Sequence, residues 1–464
     1  SEAPLWERSM AKTKSAFVCN DCGADYRKWQ GQCSACNAWN TLSEVRIPGF
    51  NSGSAQKARG GFVGATARVQ KLSDIDLVDL PRFSSGFAEL DRVLGGGFVP
   101  GSAILIGGNP GAGKSTLLLQ TLCALAATAS ALYVTGEESP QQVAMRAKRL
   151  RLETDSLQLM AETDVDAILA ASNDHKPKIM VVDSIQVVHS DALTSAPGSV
   201  AQVRDCAAVL TRYAKQTGTV LILVGHVTKD GSLAGPKVLE HMIDCSVLLE
   251  GEQDSRYRTL RGQKNRFGAV NELGVFAMTD GGLKEVPNPS AIFLERADTP
   301  APGTVVVVVW EGTRPLLVEI QALVDASNLG NPRRIAVGFE QNRLSMLLAI
   351  LHRHVGLHVG DQDVFANVVG GVRIAETSGD LSLLLAVVSS LRNKVLPKDL
   401  VVFGEVGLTG EIRPVASGQE RIAEAAKHGF KRAIVPKGNA PRTNIPGITV
   451  QPVSRLDEAI ALFD

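Results

Sequence analysis

Four short apolar runs alternate with segments of helical periodicity in the middle of the chain. They lie at residues 103–106, 131–135, 179–183 and 220–225. Continuous apolar runs of this length are typical of strands buried on both faces, and their alternation with helices is typical of βαβ units. The pattern therefore predicts an α/β fold with a largely parallel sheet.

The pattern changes after Gly281, where five prolines between residues 287 and 315 punctuate a strand-rich region. The β-branched run Val305–Trp310 predicts a strand, and residues 419–428 predict a helix. Since 464 residues exceed the usual length of one domain, we predict several parts: a tail at 1–15, a cysteine module at 16–45, a linker at 46–72, and large domains at 73–287 and 288–464.

A phosphate-binding motif follows the first apolar run. It reads G-x-x-x-x-G-K-[ST] between a predicted strand and a predicted helix, which predicts an ATP site. Backbone N–H groups at the helix N-terminus would bind phosphate, Lys114 would contact the β- and γ-phosphates, and Ser115 would bind Mg2+. The motif comprises Gly108, Asn109, Pro110, Gly111, Ala112, Gly113, Lys114, Ser115 and Thr116.

Polar residues follow three of the predicted strands. Asp183 ends the third strand and is predicted to hold the Mg2+ shell. Glu137 follows the second strand and is our candidate base for the attacking water; a charge at the N-terminus of the helix that begins near Pro140 is the alternative. His226 follows the fourth strand, where it would sense the γ-phosphate and relay its presence to the loop 227–237, or would be a core histidine.

Four of the seven cysteines have the spacing C-x2-C-x10-C-x2-C: Cys19, Cys22, Cys33 and Cys36. This spacing predicts a structural Zn2+ site; a rubredoxin-like iron site and two disulfides are the alternatives. Metal binding would supply much of the folding free energy of so small a module. Trp29 and Trp39 flank the second pair and would either contact bases or a partner, or pack around the metal site.

Charge and hydropathy exclude some classes of protein. The 48 Lys+Arg balance 48 Asp+Glu, which excludes a uniformly basic nucleic-acid binder but not local basic surfaces. Residues 46–72 contain five basic and no acidic side chains, so this linker would contact phosphate loosely or be a solvated tether. No apolar run approaches the roughly 20 residues that cross a bilayer, and no signal-peptide core is present. We expect a cytoplasmic protein whose natural start is Met10, with residues 1–9 either an added segment or a longer start.

The strand spacing resembles the RecA-like ATPase core, and residues 133–139 and 224–229 resemble the branch that contains RecA, DnaB and KaiC. The pentapeptide Lys264–Gly268 (KNRFG), together with the four-cysteine motif, resembles the bacterial RadA (Sms) family. The resemblance implies a nucleoid-associated, DNA-dependent ATPase that acts as a hexameric ring on single-stranded and branched DNA with the recombinase RecA. It also implies that Lys264 and Arg266 contact the neighbouring subunit's ATP; a DNA-facing basic loop is the alternative.

The C-terminal region resembles the proteolytic domain of Lon proteases, on residues 404–415 and 429–436. A Lon-type protease needs a Ser nucleophile and a Lys base, and the matching positions here are Asp380 and Gln419. We therefore expect an inactive α+β domain that helps to assemble the ring, with a DNA-binding surface as a further role. A KaiC-like signalling ATPase and an ATP-dependent protease are the alternative functions, and both are disfavoured.

Overall fold

The computed structural model describes residues 15–19, 24–26, 28–46, 71–74, 81–226, 238–251, 256–294, 298–328 and 330–464. The chain divides into two compact units, Ser1–Val286 and Pro287–Asp464. In the parts of the chain just given, no helix is both long and apolar enough to cross a membrane.

A small antiparallel sheet forms the N-terminal module. Its strands are β1 (Ser15–Cys19), β2 (Asp25–Tyr26) and β3 (Leu42–Arg46), in the order β2-β1-β3. The buried residues of its core are Cys19, Cys33 and Leu42. So small an apolar core cannot stabilise a fold by burial alone, which leaves a stabilising role for the cysteine cluster.

A nine-stranded sheet forms the centre of the first unit. Its strands are β4 (Ala103–Gly108), β5 (Ala131–Thr135), β6 (Gln158–Ala161), β7 (Ile179–Asp183), β8 (Val220–Val224), β9 (Cys245–Glu250), β10 (Tyr257–Asn265), β11 (Leu273–Thr279) and β12 (Gly282–Glu285). The order is β12-β11-β10-β9-β4-β8-β7-β5-β6. The strands β4 to β9 pair in parallel, which confirms the predicted parallel core.

The antiparallel strands β10, β11 and β12 extend this sheet beyond β9. The apolar pattern did not predict them, because β10 alternates buried and part-exposed residues and carries several charged side chains. This extension matters for the site, because it places β10 and β12 beside the phosphate-binding loop.

Helices cover the central sheet: α1 (Ala88–Val93), α2 (Lys114–Ala126), α3 (Pro140–Arg149), α4 (Val165–His175), α5 (Val200–Thr217) and α6 (Val238–Met242). Two apolar clusters lie on the two faces of the sheet, which explains why β4, β5, β7 and β8 are buried throughout. Helix starts follow local chemistry: Ser139 and Gln142 form a capping box before α3, and the Ser199 hydroxyl accepts a hydrogen bond from the Gln202 N–H.

The second unit is a mixed sheet with helices. Its elements are α7 (Pro289–Phe293), β13 (Thr304–Glu311), β14 (Arg314–Ala326), β15 (Arg334–Val337), α8 (Gln341–Val355), β16 (Gln362–Val368), α9 (Asp380–Arg392), β17 (Leu400–Val402), β18 (Glu405–Val406), β19 (Ile412–Arg413), α10 (Gly418–Lys427), β20 (Arg432–Pro436), β21 (Thr449–Val453) and α11 (Leu456–Ala461). The main sheet has the order β15-β16-β14-β13-β17-β20-β21. The strand predicted at Val305–Trp310 and the helix predicted at 419–428 are both confirmed.

Candidate nucleotide site and metal centre

The phosphate-binding loop connects β4 to α2, and its glycines occupy positions where a side chain does not fit. A Cβ at Gly108 would lie 2.5 Å from the Leu249 carbonyl oxygen. Gly113 has a positive φ of 106°, and a Cβ there would lie 2.9 Å from the Met278 Cε. The loop is therefore a tight backbone turn at the N-terminus of a 13-residue helix, the arrangement that binds phosphate.

Lys114 is the first residue of α2, and its side chain is buried. Its Nζ donates to the carbonyl oxygens of Gly108 at 2.6 Å and Asn109 at 3.0 Å, so the amine lies inside the loop. Burial lowers the pKa of Lys114, while the charges of Asp183 and Glu137 oppose that shift. A nucleotide phosphate would be a stronger acceptor for this amine than the two neutral carbonyls.

Asp183 lies at the end of β7, close to the start of α2. Its Oδ2 accepts hydrogen bonds from the Ser115 hydroxyl and the Tyr133 hydroxyl, both at 2.6 Å. The structure thus brings together Ser115 and Asp183, the two residues predicted to hold Mg2+, and a serine hydroxyl beside a carboxylate suits that hard cation. The role of Tyr133 was missed, because a tyrosine inside an apolar strand is also typical of a core residue.

Glu137 follows β5 and points to the same region. Its Oε1 accepts a hydrogen bond from the Ser184 hydroxyl and lies 3.1 Å from Nε2 of His226. Burial raises the pKa of Glu137, but the hydrogen bonds from Ser184 and His226 and the charge of Lys114 outweigh it and leave the pKa lowered. The carboxylate is therefore ionised at neutral pH, as a base for water must be. Sequence reasoning missed Ser184.

The neighbouring Glu138 has a different environment. It forms a salt bridge with Arg146 of α3, and its backbone N–H donates to the Thr135 hydroxyl at 3.1 Å. The N-terminus of α3 is already capped by Ser139 and Gln142. The two glutamates therefore have different partners. Glu138 pairs with Arg146 of α3, whereas Glu137 contacts Ser184 and His226 at the strand ends.

Lys264 and Arg266 lie at the end of β10 and bond within their own subunit. Lys264 Nζ donates to the Ile243 carbonyl at 2.9 Å, and Arg266 donates to Asp244 Oδ1 at 3.0 Å and to the His241 carbonyl at 3.1 Å. The buried Asp244 also accepts from Lys215 at 2.9 Å. Both cations therefore lie at the C-terminal end of α6, where a cation is favourable.

The cysteine module brings three thiols together. The Sγ atoms of Cys19, Cys33 and Cys36 all lie within 4.8 Å of one another, and those of Cys19 and Cys36 are 3.7 Å apart. Four thiolates at tetrahedral Zn–S distances would be about 3.8 Å apart, so the three residues fit a zinc centre. Cys22, the fourth predicted ligand, lies outside the described residues. The Thr41 and Tyr26 hydroxyls contact the sulfurs of Cys19 and Cys33 at 3.1 and 3.2 Å, which orients these ligands.

Trp29 and Trp39 are exposed, with 57% and 68% of their surface accessible. Both indoles lie close to Gly31, where a Cβ would be 3.8 Å from Trp29 and 3.7 Å from Trp39. The indoles thus form an exposed aromatic surface, which is contrary to the alternative that they pack around the metal site.

The three cysteines outside the module, Cys123, Cys206 and Cys245, are buried core residues, and burial raises the pKa of Cys206 and of Cys245 to about 12.

In the second unit, the two positions matched to the protease dyad have unlike environments. Asp380, the first residue of α9, is buried; it accepts from Arg343 Nε at 3.0 Å and from the Val406 N–H at 3.1 Å. Burial raises the pKa of Asp380, and these hydrogen bonds oppose the shift. Gln419 is exposed in the first turn of α10. Asp380 is thus a structural ion-pair partner of Arg343.

A second ion pair beside α9 also stabilises this unit. Arg421, which is 1% exposed, donates to both carboxylate oxygens of Glu376 at 2.7 and 2.9 Å. It also donates to the carbonyls of Val308 and Ala416, and Ser378 donates to Glu376 at 2.5 Å. The guanidinium thus joins α10 to β13 through the Val308 carbonyl, and Glu376 balances its charge.

Replacing Glu376 by glutamine is expected to destabilise the second unit, because it leaves the buried Arg421 charge without its carboxylate. Breaking a buried ion pair costs roughly 3–5 kcal/mol, and we expect the lower end of that range because the Glu376 side chain is 31% exposed. Urea unfolding of the full chain measures the change, with Glu420→Gln, an exposed position on α10, as the matched control. Equal unfolding midpoints for the two variants would contradict the assignment.

The same pair predicts a pH dependence. Burial raises the pKa of Glu376, but Arg421 outweighs it and leaves the pKa lowered. The stabilisation is therefore present above the pKa of an unfolded glutamate, about 4.3, and is lost as the pH falls through the lower folded value. The difference in stability between wild type and Glu376→Gln should narrow below about pH 4.

Comparisons with known proteins agree with this architecture. Residues 66–232 match the AAA domain family, residues 17–44 match the rubredoxin metal binding domain family, and residues 333–439 match the family of subunit ChlI of Mg-chelatase. The chain is 67% identical over 458 residues to the DNA repair protein RadA of Escherichia coli, which covers 98% of this chain and 100% of the relative. It is 61% identical to the Pseudomonas aeruginosa RadA over 98% of this chain and 100% of the relative, and 47% identical to the Bacillus subtilis RadA over 97% and 99%.

The fold and the site define a RecA-like P-loop ATPase with an N-terminal zinc ribbon and a C-terminal Lon-like domain. Such an ATPase uses ATP and Mg2+, and the ribbon indicates Zn2+. The identity over the whole chain shows that it belongs to the RadA family of bacterial DNA repair proteins. The resemblance first indicated by the KNRFG segment and the cysteine motif is thereby confirmed.

Proposed function

We propose that this chain is a DNA-dependent ATPase of homologous recombination and repair, acting as a ring-shaped motor that moves along DNA. Its substrates would be single-stranded and branched recombination intermediates of the bacterial nucleoid, processed together with the recombinase RecA. Support comes from the ATPase site and from relatives named as DNA repair proteins. The ring, the helicase activity and the RecA partnership are parts of this proposal.

The observation that carries the motor proposal is the contact between His226 and Glu137. Nε2 of His226, the second residue after β8, lies 3.1 Å from the carboxylate that would activate water. A displacement at the end of β8 therefore changes a hydrogen bond of the catalytic base directly. Hydrolysis can respond in this way to binding elsewhere on the subunit, which is what a DNA-dependent ATPase requires.

Each residue of the site has a distinct role in ATP hydrolysis. Lys114 and the backbone N–H groups of the loop would bind the phosphates of ATP, and Ser115 and Asp183 would hold Mg2+. When bound, Mg2+ neutralises negative charge that develops on the phosphate oxygens. Glu137, held by Ser184 and His226, accepts a proton from the attacking water.

The proposed ring places Lys264 and Arg266 at the ATP of the adjacent subunit. In this structure three of their hydrogen bonds go to neutral carbonyls at the end of α6. A phosphate anion is a stronger acceptor than a neutral carbonyl, so a neighbour's ATP would compete for these hydrogen bonds. Arg266 would in addition exchange its ion pair with Asp244 for the phosphate.

Contacts with DNA are proposed at the exposed indoles of the zinc ribbon. More than half of the surface of Trp29 and of Trp39 is accessible to solvent, and Lys28 beside them is exposed. Base–aromatic stacking contributes about 1–3 kcal/mol per base and does not require a particular sequence. The basic linker at 46–72, which lies mostly outside the described residues, would add phosphate contacts.

The test measures ATP hydrolysis with and without single-stranded DNA at low salt, because phosphate contacts weaken steeply as salt rises. DNA should stimulate hydrolysis in the wild type. Trp39→Ala should weaken DNA binding by about tenfold, from the loss of one stacking contact, without changing DNA-free hydrolysis. Leu408→Ala, at a position exposed to a similar degree in the second unit, is the control. If DNA does not change the rate of ATP hydrolysis and the protein does not bind DNA, the proposal is wrong.

Proteolysis is not part of the proposed function. The position matched to the nucleophile is a buried aspartate bonded to Arg343, and the position matched to the base is an exposed glutamine. An aspartate ion-paired in this way cannot attack a peptide carbonyl as a serine does, and an amide cannot accept its proton. We propose that this domain is a scaffold for the ring.

A further inference from the structure

The phosphate-binding loop rests on an arginine of the antiparallel extension. Arg258 lies on β10, is 3% exposed, and donates from its Nε to the Ala112 carbonyl at 3.0 Å. Ala112 is itself 1% exposed and lies inside the motif, directly before Gly113. Arg258 also donates from Nη1 to the Tyr257 carbonyl at 2.9 Å, which fixes the plane of the guanidinium.

The surroundings leave the guanidinium little freedom. A Cβ at Gly251 would lie 2.4 Å from the Arg258 Cδ, so the side chain packs directly on the backbone at the end of β9. The extension also contacts α2, because Gln120 bonds to the Leu283 backbone in β12 at 2.9 and 3.2 Å. A buried charged donor with a fixed orientation makes a strong hydrogen bond, because no water competes for its acceptor.

Peptide geometry connects this hydrogen bond to the nucleotide. The Ala112–Gly113 peptide is trans, and in a trans peptide the C=O and the N–H point in opposite directions. Arg258 binds the carbonyl, so the Gly113 N–H is directed away from Arg258. Gly113 lies where the loop meets α2, and the N–H groups of such a turn are the donors that bind phosphate in loops of this type.

We propose that Arg258 is a positioning residue for ATP: by holding the Ala112 carbonyl, it fixes the Gly113 N–H in the direction that binds phosphate. Arg258 and the loop that it contacts belong to the same subunit. The inference concerns the ATPase site itself, so it stands apart from the proposed DNA motor and is tested without DNA.

The experiment compares Arg258→Met and Arg258→Lys in the full chain, with mant-ADP as the probe. Losing a hydrogen bond from a charged donor costs about 1.5–3 kcal/mol, so the Kd of Arg258→Met for mant-ADP should rise by roughly 10- to 150-fold at unchanged stoichiometry. Its KM for ATP should rise similarly, with a smaller change in kcat. Arg258→Lys, which keeps the charge without the fork, should fall between Met and wild type.

Arg261→Met is the matched control. Arg261 lies on the same strand three residues later, on the opposite face, and pairs with Glu250 at 3.8 Å. Its Kd should stay at the wild-type value. A folded Arg258→Met protein that binds mant-ADP like wild type would overturn the proposal, as would an equal loss in Arg261→Met.

Thermal unfolding without nucleotide separates positioning from folding. If Arg258→Met does not fold, Arg258→Gln replaces it under the same criterion. Failure of both to fold would show that the arginine serves stability alone and would reject the positioning role. If only the fraction of the protein that binds mant-ADP falls while the Kd stays unchanged, the positioning role is also rejected.

Discussion

Arg266→Ala is expected to lower kcat for ATP hydrolysis by about 10³- to 10⁵-fold, the range for an arginine that stabilises transferring phosphate from a neighbouring subunit. ATP binding should change little, since Lys114 and the loop of the bound subunit remain intact. The substitution also removes one partner of the buried Asp244, which keeps Lys215 at 2.9 Å and the Ala103 N–H at 2.9 Å. Thermal unfolding checks that the variant is folded before its turnover is interpreted.

Mixing experiments test whether Arg266 acts between subunits. An Arg266→Ala subunit keeps Glu137, and a Glu137→Gln subunit keeps Arg266, so a mixed interface contains one complete site. Turnover of the mixture should exceed that of either variant alone, provided that co-assembly is verified by pull-down of differently tagged chains. Co-assembled mixtures without any gain would remove support for the trans role and favour the DNA-facing alternative.

Glu137→Gln is expected to lower kcat by about 10²- to 10⁴-fold, since an amide cannot accept the proton of the attacking water. The amide is nearly the same size and can still accept a hydrogen bond from Ser184, so the Kd for ATP should remain within a few-fold of wild type. Single-turnover hydrolysis and mant-nucleotide binding measure the two quantities separately.

Glu138→Gln is the matched control for this variant. It makes the same chemical change one residue later, at a carboxylate that pairs with Arg146 of α3 instead of with Ser184 and His226. Hydrolysis should stay within a few-fold of wild type. An equal loss in both variants would mean that the charge of the segment matters, and that Glu137 is not the base.

The central fold was predictable because parallel strands are buried on both faces and leave continuous apolar runs. Functional residues lie at the carboxyl ends of such strands, so Asp183, Glu137 and His226 could be selected by position alone. The structure brings Glu137 and His226 into contact and places Asp183 against Ser115. The roles of these residues in catalysis stay predictions until the variants are measured.

Other parts of the site could not be predicted from the pattern. The strands β10 to β12 pair antiparallel at the edge of the parallel sheet, where charged residues interrupt the apolar pattern. Arg258 therefore resembled any other arginine of a polar strand, and Ser184 resembled a residue of the following turn. Both bond to residues far away in the sequence, 146 and 47 positions distant.

The sequence by itself determined the class of this protein. Motif spacing specified the phosphate loop and the four-cysteine module, because local backbone geometry and metal chemistry allow few other residues at those positions. Only the tertiary structure decided which side chains support the site. Ser184 donates a hydrogen bond to Glu137, Tyr133 donates to Asp183, and Arg258 donates to the Ala112 carbonyl. The physical reason is that each contact joins segments that are distant in the sequence. Strand order and strand register bring these segments together, and no local stretch of the sequence encodes either of the two.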